Sequence, residues 1–169
     1  IEWGAAVYSE NLNGISTVRD RNRQVKQSRK DFRLSDSIVV VSRQGKFIAI
    51  CGEPYFVSEG ILHSLKLAMD IWEERINISV PITFYVVLPE EMDDDTAIST
   101  TVLYSMKSRG VSIPRSLYLQ SYNVIPENMA KDTIRINAFA DWGVSWIYDD
   151  VYAGTYSLTT YFLRHIAHI

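Results

Sequence analysis

The chain has 169 residues, 47% of them hydrophobic and 22% charged, with 17 Lys+Arg against 20 Asp+Glu for a formal net charge of −3. This is the composition of a globular protein, and it excludes a collagen, a coiled coil or a chain disordered throughout. No apolar run reaches the roughly 18–20 residues of a spanning helix, so no membrane partner is expected. The single cysteine, Cys51, excludes a disulfide framework and a zinc site built mainly of thiolates.

The N-terminus lacks a basic region followed by an apolar core, so no signal peptide is expected. A start at Ile1 rather than Met reads as a piece of a larger protein. The length suits one domain spanning 1–169, with 19–33 as a basic loop or arm. One cysteine in a chain of this size favours an intracellular, reducing setting. Cys51 itself ends the apolar run Phe47-Ile48-Ala49-Ile50 and reads as a buried strand residue.

In chain order, residues 3–8 read as a short strand, and Asn11, Asn13 and Gly14 mark a turn. Residues 37–42 and 46–51 are two β-rich runs around Arg43-Gln44-Gly45, the pattern of a hairpin. The unbroken run Ile38-Val39-Val40-Val41 predicts burial on both faces. A helix is expected over 58–75, with Ser58 as its N-cap and Ile61, Leu65, Ala68 and Trp72 on its apolar stripe. Lys66, Asp70, Glu73 and Glu74 mark its wet face, and His63 reads as a packed or boundary residue.

A strand follows over 82–88, apolar on both faces, and then the acidic run 90–95. Residues 96–109 read as a second helix, capped by Asp95 and ended by Gly110, with Ile98, Val102 and Met106 inward. Residues 115–123 alternate like a strand. Residues 126–131 read as helical, and 133–139 fit either state. Two further strands are expected at 144–148 and 151–156 around Asp149-Asp150, and a final helix over 158–168. The expected fold class is α/β (or α+β): a mixed β-sheet with an N-terminal hairpin and helices packed on one or both faces. Within 82–123, strand–helix–strand order predicts local parallel pairing with right-handed crossovers.

The charge is uneven. Residues 19–33 hold seven basic and two acidic residues, a local net of +5, which leaves −8 on the rest. Arg19, Arg21, Arg23, Lys26, Arg29, Lys30 and Arg33 are therefore the candidate contacts to nucleic acid or to a protein partner, a second copy of the chain included. Only Phe32 in this stretch offers a ring for base stacking. The same stretch also suits a solvated loop or helix face. Aromatic residues crowd the last thirty positions, as they do at interfaces and in cores alike.

Two acidic clusters carry the metal option, with Asp93, Asp95, Asp149 and Asp150 as candidate ligands for Mg²⁺ or Mn²⁺. They also suit a helix N-terminus and an ordinary turn. The string Tyr148-Asp149-Asp150 resembles the Tyr-x-Asp-Asp hairpin of reverse transcriptases and related palm polymerases, with one residue fewer between Tyr and Asp. That resemblance implies two divalent ions and phosphoryl or nucleotidyl transfer.

A second resemblance spans more chain. Glu59-Gly60-Ile61-Leu62, the segment 81–89, Ala97-Ile98, Leu103-Tyr104 and Gly110-Val111 look like the second half of a GNAT-type acyltransferase. In that family an Arg/Gln-x-x-Gly-x-Gly/Ala turn holds the pyrophosphate of acyl-CoA at a helix N-terminus. The matching stretch, 57–62, keeps one glycine and carries Glu59.

His165 and His168 are three apart on the last predicted helix and suit one metal or a packed helix face. No complete catalytic motif is present. The leading expectation is a non-catalytic interaction domain of a larger assembly that needs no cofactor. Acyl-CoA-dependent transfer and metal-dependent phosphoryl transfer stand as the enzymatic alternatives.

Overall fold

A computed structural model describes residues 2–11, 16–21, 37–52, 59–88, 96–106, 112–123, 131–137, 142–143 and 156–169. The chain forms β1 (Glu2–Asn11), β2 (Ser16–Arg21), β3 (Ile38–Val41), β4 (Phe47–Cys51), α1 (Glu59–Arg75), β5 (Ile82–Val87), β6 (Thr96–Met106), β7 (Ser112–Pro114), α2 (Arg115–Tyr122), β8 (Thr133–Ile136), β9 (Trp142–Gly143), β10 (Tyr156–Ser157) and α3 (Leu158–His168). Eight strands make one mixed sheet in the order β2-β1-β6-β8-β5-β4-β3, with β7 paired to the end of β6. The fold is α+β. No helix among the described residues is long and apolar enough to cross a membrane.

The hairpin forms as its sequence predicts. β3 and β4 pair antiparallel, and Gly45 takes the positive φ of 73° that the turn demands. β4, α1 and β5 make a strand–helix–strand unit whose strands are parallel. β8 extends the parallel set beyond β5. α1 and α3 lie side by side on one face, where Leu65, Ala68, Met69, Phe162 and Ile166 meet Phe47, Ala49, Phe84 and Ile134. The Trp72 indole N–H ties them by donating to the Leu163 carbonyl at 2.8 Å.

Several expectations are corrected. Residues 96–106 are a strand, not a helix. Ile98 and Val102 are four apart, a spacing that fits a strand face as well as a helix stripe, and five of the eleven residues are β-branched. The strand pairs with β1 over its whole length and with β8 on its other side, and burial there overrides local preference. The parallel crossover unit is accordingly 47–87 rather than 82–123.

Residues 115–122 are a helix, not a strand. Pro114 sets its start, and Asn123 closes it in the left-handed region at φ 57° with its N–H on the Leu119 carbonyl. The apparent alternation arose because Leu117, Ser121 and Tyr122 face solvent. β3 is the last strand of the sheet, so only Val40 is buried, while Val39 and Val41 are 54% and 43% exposed. His63 is exposed rather than packed.

Glu73 is a further correction. It belongs to the presumed wet face of α1, yet it is buried. It accepts from the Ser42 hydroxyl and from the backbone N–H groups of Gln44 (2.7 Å) and Lys46 (3.0 Å). Asp70 accepts from the Arg43 N–H at 2.7 Å. The end of α1 thus clamps the hairpin turn. Burial alone would raise the Glu73 pKa, but these hydrogen bonds and the Lys66 charge hold it below the ordinary value. Glu73→Ala leaves three donors without their acceptor and is expected to cost about 2–4 kcal/mol in urea unfolding. Glu74→Ala removes only an exposed contact with Arg43 at 3.7 Å and should change stability by less than about 0.5 kcal/mol. Equal effects of the two would refute the clamp.

Candidate functional site

Alternation along β1 places Tyr8 and Glu10 on the face that α3 covers, and the ladder sets Tyr8 opposite Thr100. The β1–β6 register shifts between Glu10 and Asn11, leaving Ala97 as the extra residue. α3 begins at the Ser157 cap, whose hydroxyl accepts from the Thr160 N–H, and it projects His165 onto Thr100 and Glu10.

Thr100 Oγ1 lies 2.6 Å from His165 Nδ1, and His165 Nε2 lies 3.1 Å from Glu10 Oε1. Arg164 forks onto the same carboxylate, with Nε at 3.0 Å and Nη2 at 2.9 Å. Burial, with the His168 and Arg164 charges, outweighs the opposing pull of the Glu10 carboxylate and lowers the His165 imidazole to about 4, so it is neutral at pH 7. Glu10, held ionised against its own burial by Arg164 and His165, only accepts. Nε2–H therefore donates to Glu10, and Nδ1 accepts from the Thr100 hydroxyl. The Tyr8 ring stacks on His168 at 4.0 Å beside them.

Hydroxyl, imidazole and carboxylate in series is the order that activates a nucleophile in hydrolases. Here Thr100 is fully buried and His165 is 1% exposed. That burial closes the hydroxyl off from solvent, and the series fastens α3 to the sheet.

A second polar cluster sits where α2 meets β5, β6 and β8. Asp132 is fully buried. Its Oδ1 accepts from the Leu103 N–H at 2.7 Å, and its backbone carbonyl accepts from the Tyr85 N–H at 2.8 Å. Arg115, 6% exposed, reaches the Thr83 carbonyl at 3.4 Å through Nη1. Neither Arg115 Nε nor Asp132 Oδ2 has a hydrogen-bond partner among the described residues. Lys131 stands over the Tyr85 ring at 5.4 Å. Burial pushes the Asp132 carboxyl up to about 7, against the Leu103 N–H and the Arg115 charge. Burial and Arg115 lower the Lys131 ammonium.

The residues expected from sequence fall mostly elsewhere. Arg19 and Arg21 lie on β2, in register with Val7 and Ala5. Arg23, Lys26, Arg29, Lys30 and Arg33 lie outside the described residues, as do Asp93, Asp95, Asp149 and Asp150, the strand expected at 144–148 and, apart from Tyr156 in β10, the strand expected at 151–156. Among the described residues no group of three or more His, Cys, Asp or Glu could hold a metal. His165 is committed to Thr100 and Glu10, which corrects the option of a metal shared with His168. Cys51 is buried, as expected, and burial raises its thiol to about 12. The acyltransferase-like order of helix, strand and helix does not appear, because 96–106 is β6.

Glu10, Thr100, Arg115, Lys131 and Asp132 were not singled out from sequence. Glu10 alone left a signal, as a charge that continues the apolar face of Ala6 and Tyr8. Searches against protein-family models, curated proteins and solved structures found no match.

The two buried titrations oppose each other. Between about pH 4 and 6.5 the unfolded His165 binds a proton that the folded one refuses, so this group makes stability rise with pH. Between 3.8 and about 7 the folded Asp132 keeps a proton that the unfolded one has lost, so this group makes stability fall with pH. Each slope approaches about 1.4 kcal/mol per pH unit, and with opposite signs they largely cancel from pH 5 to 6.5. In urea midpoints, Asp132→Asn should show stability rising with pH, and His165→Gln should show it falling. Two level profiles would reject both protonation states.

Proposed function

We propose that this chain is a non-catalytic interaction module that engages a polyanionic partner through the basic segment 19–33. The observation that carries the reading is the position of β2. Arg19 and Arg21 are hydrogen-bonded into the ladder of the terminal strand of the sheet, so a rigid scaffold presents the start of the segment. A segment with a local net of +5 on a body of −8 attracts anionic surfaces and steers their approach. The groups most suited to nucleophilic chemistry, Thr100 with His165 and Cys51, are buried, which supports a binding role over a hydrolytic one.

The test is binding of a labelled DNA duplex across a salt series. Each neutralised phosphate contributes a slope of about −0.9 in log K against log salt. Arg21→Ala/Arg23→Ala/Arg29→Ala/Lys30→Ala should weaken binding at least tenfold and flatten the slope. Unchanged affinity and slope in that variant would reject the segment as the contact. Binding of an acidic polypeptide but not of the duplex would identify a protein partner.

A further inference from the structure

Buried charges in proteins are paired, because an ion removed from water without a partner is very costly. The cluster at α2 departs from that rule in one direction. Two cations, Arg115 and Lys131, accompany one acid, Asp132, and among the described residues neither Asp132 Oδ2 nor Arg115 Nε has a hydrogen-bond partner. The two orphan atoms belong to side chains more than nine-tenths buried. Lys131 is only half-buried, so the cluster is not sealed on its side.

We infer that Arg115, Lys131 and the Asp132 carboxyl form a binding site for a doubly charged oxyanion of the phosphate class. The charge count favours a dianion. With Asp132 carrying its proton the site holds two positive charges, which a monoanionic carboxylate would leave half compensated. The donors fit as well. Arg115 Nε–H has no acceptor among the described residues, Lys131 has three donors on a flexible stem, and guanidinium is suited to phosphate. Asp132 Oδ1 is occupied by the Leu103 N–H, so the proton resides on Oδ2 and makes it a third donor. A buried carboxylic acid kept protonated to donate a hydrogen bond is known chemistry. Around Asp132, the Leu103 N–H from β6 donates to Oδ1, the Arg115 charge from α2 acts on the carboxyl, and the Tyr85 N–H from β5 donates to the backbone carbonyl; Lys131 is its chain neighbour and feels the Arg115 charge, while Arg135 donates to Thr101 at 3.0 Å. Loss of the Asp132 proton puts a negative charge against the anion, so binding takes up one proton above neutral pH. The inference does not depend on the reading given to segment 19–33.

Sulfate is the probe, since it stays a dianion from pH 6 to 8 while phosphate does not. Calorimetric titration with sulfate, at ionic strength matched with NaCl, should give saturable binding at pH 6 that weakens by up to about tenfold per pH unit above 7. Lys131→Gln, a half-buried position tolerant of change, should lose most of the affinity. Asp132→Asn keeps a donor at every pH and should bind without the pH dependence. If sulfate gives only the unsaturable stabilisation of an excluded salt, or if Lys131→Gln binds as the wild type does, the site does not exist. Saturable binding that is level from pH 6 to 8 in the wild type would also overturn it, because Asp132 would then take no part. Loss of binding on Arg21→Ala/Arg23→Ala, with Lys131→Gln unaffected, would place the sulfate on the basic segment and refute the inference.

Discussion

Strand β6 pairs with β1 along one edge and with β8 and then β7 along the other, and both buried polar clusters are anchored to it. Thr100 points from it to His165, and its Leu103 N–H holds Asp132. A strand enclosed in this way must satisfy its backbone through its neighbours, since water cannot reach it. That requirement brings the first eleven residues beside 96–106 and so sets Glu10 within reach of α3. Close approach is also needed at Gly4, opposite Tyr104, where a Cβ would lie 2.7 Å from the ring.

The same enclosure makes chemistry out of groups that are ordinary in water. Desolvation keeps His165 neutral and raises the Asp132 carboxyl to about 7, so one cluster supplies an acceptor where a cation would be expected and the other, below neutral pH, a donor where an anion would be. The first cluster is complete, with each His165 nitrogen and each Glu10 oxygen engaged. A fully satisfied buried network fixes the register of the parts it joins, here α3 against the β1–β6 pair. In the second cluster Arg115 Nε and Asp132 Oδ2 have no hydrogen-bond partner among the described residues. That difference separates a structural fastening from a place that has room in its hydrogen bonding for a ligand.

The clamp at Glu73 shows the same physics near the surface. Three donors of the β3–β4 turn converge on one carboxylate from α1, so an acid that belongs to the helix works for the hairpin. Together with the Trp72–Leu163 bond, it joins β3, β4, α1 and α3 by directional contacts in addition to the apolar core.

Local chemistry was legible wherever a short segment decides its own geometry. The β3–β4 turn followed from Gly45, α1 from its stripe of Leu65, Ala68 and Trp72, α3 from its full span Leu158–His168, and the burial of Cys51 from its apolar run. The mixed sheet with helices followed from the order of those elements. Residues 96–106 and 115–122 were not legible, because a spacing of four serves a strand face as well as a helix, and an exposed short helix carries little periodicity. The wet face of α1 was misread at Glu73 because only the turn beneath it supplies the donors. The polar clusters were invisible for a related reason. Glu10 and His165 are 155 residues apart, and Leu103 and Asp132 are 29 apart, so their partnership exists only in the tertiary structure. Sequence by itself determined the elements whose causes are local and the division of charge into a basic segment and an acidic body. The tertiary structure decided which charges leave water together, because desolvation and hydrogen bonding act between neighbours in space.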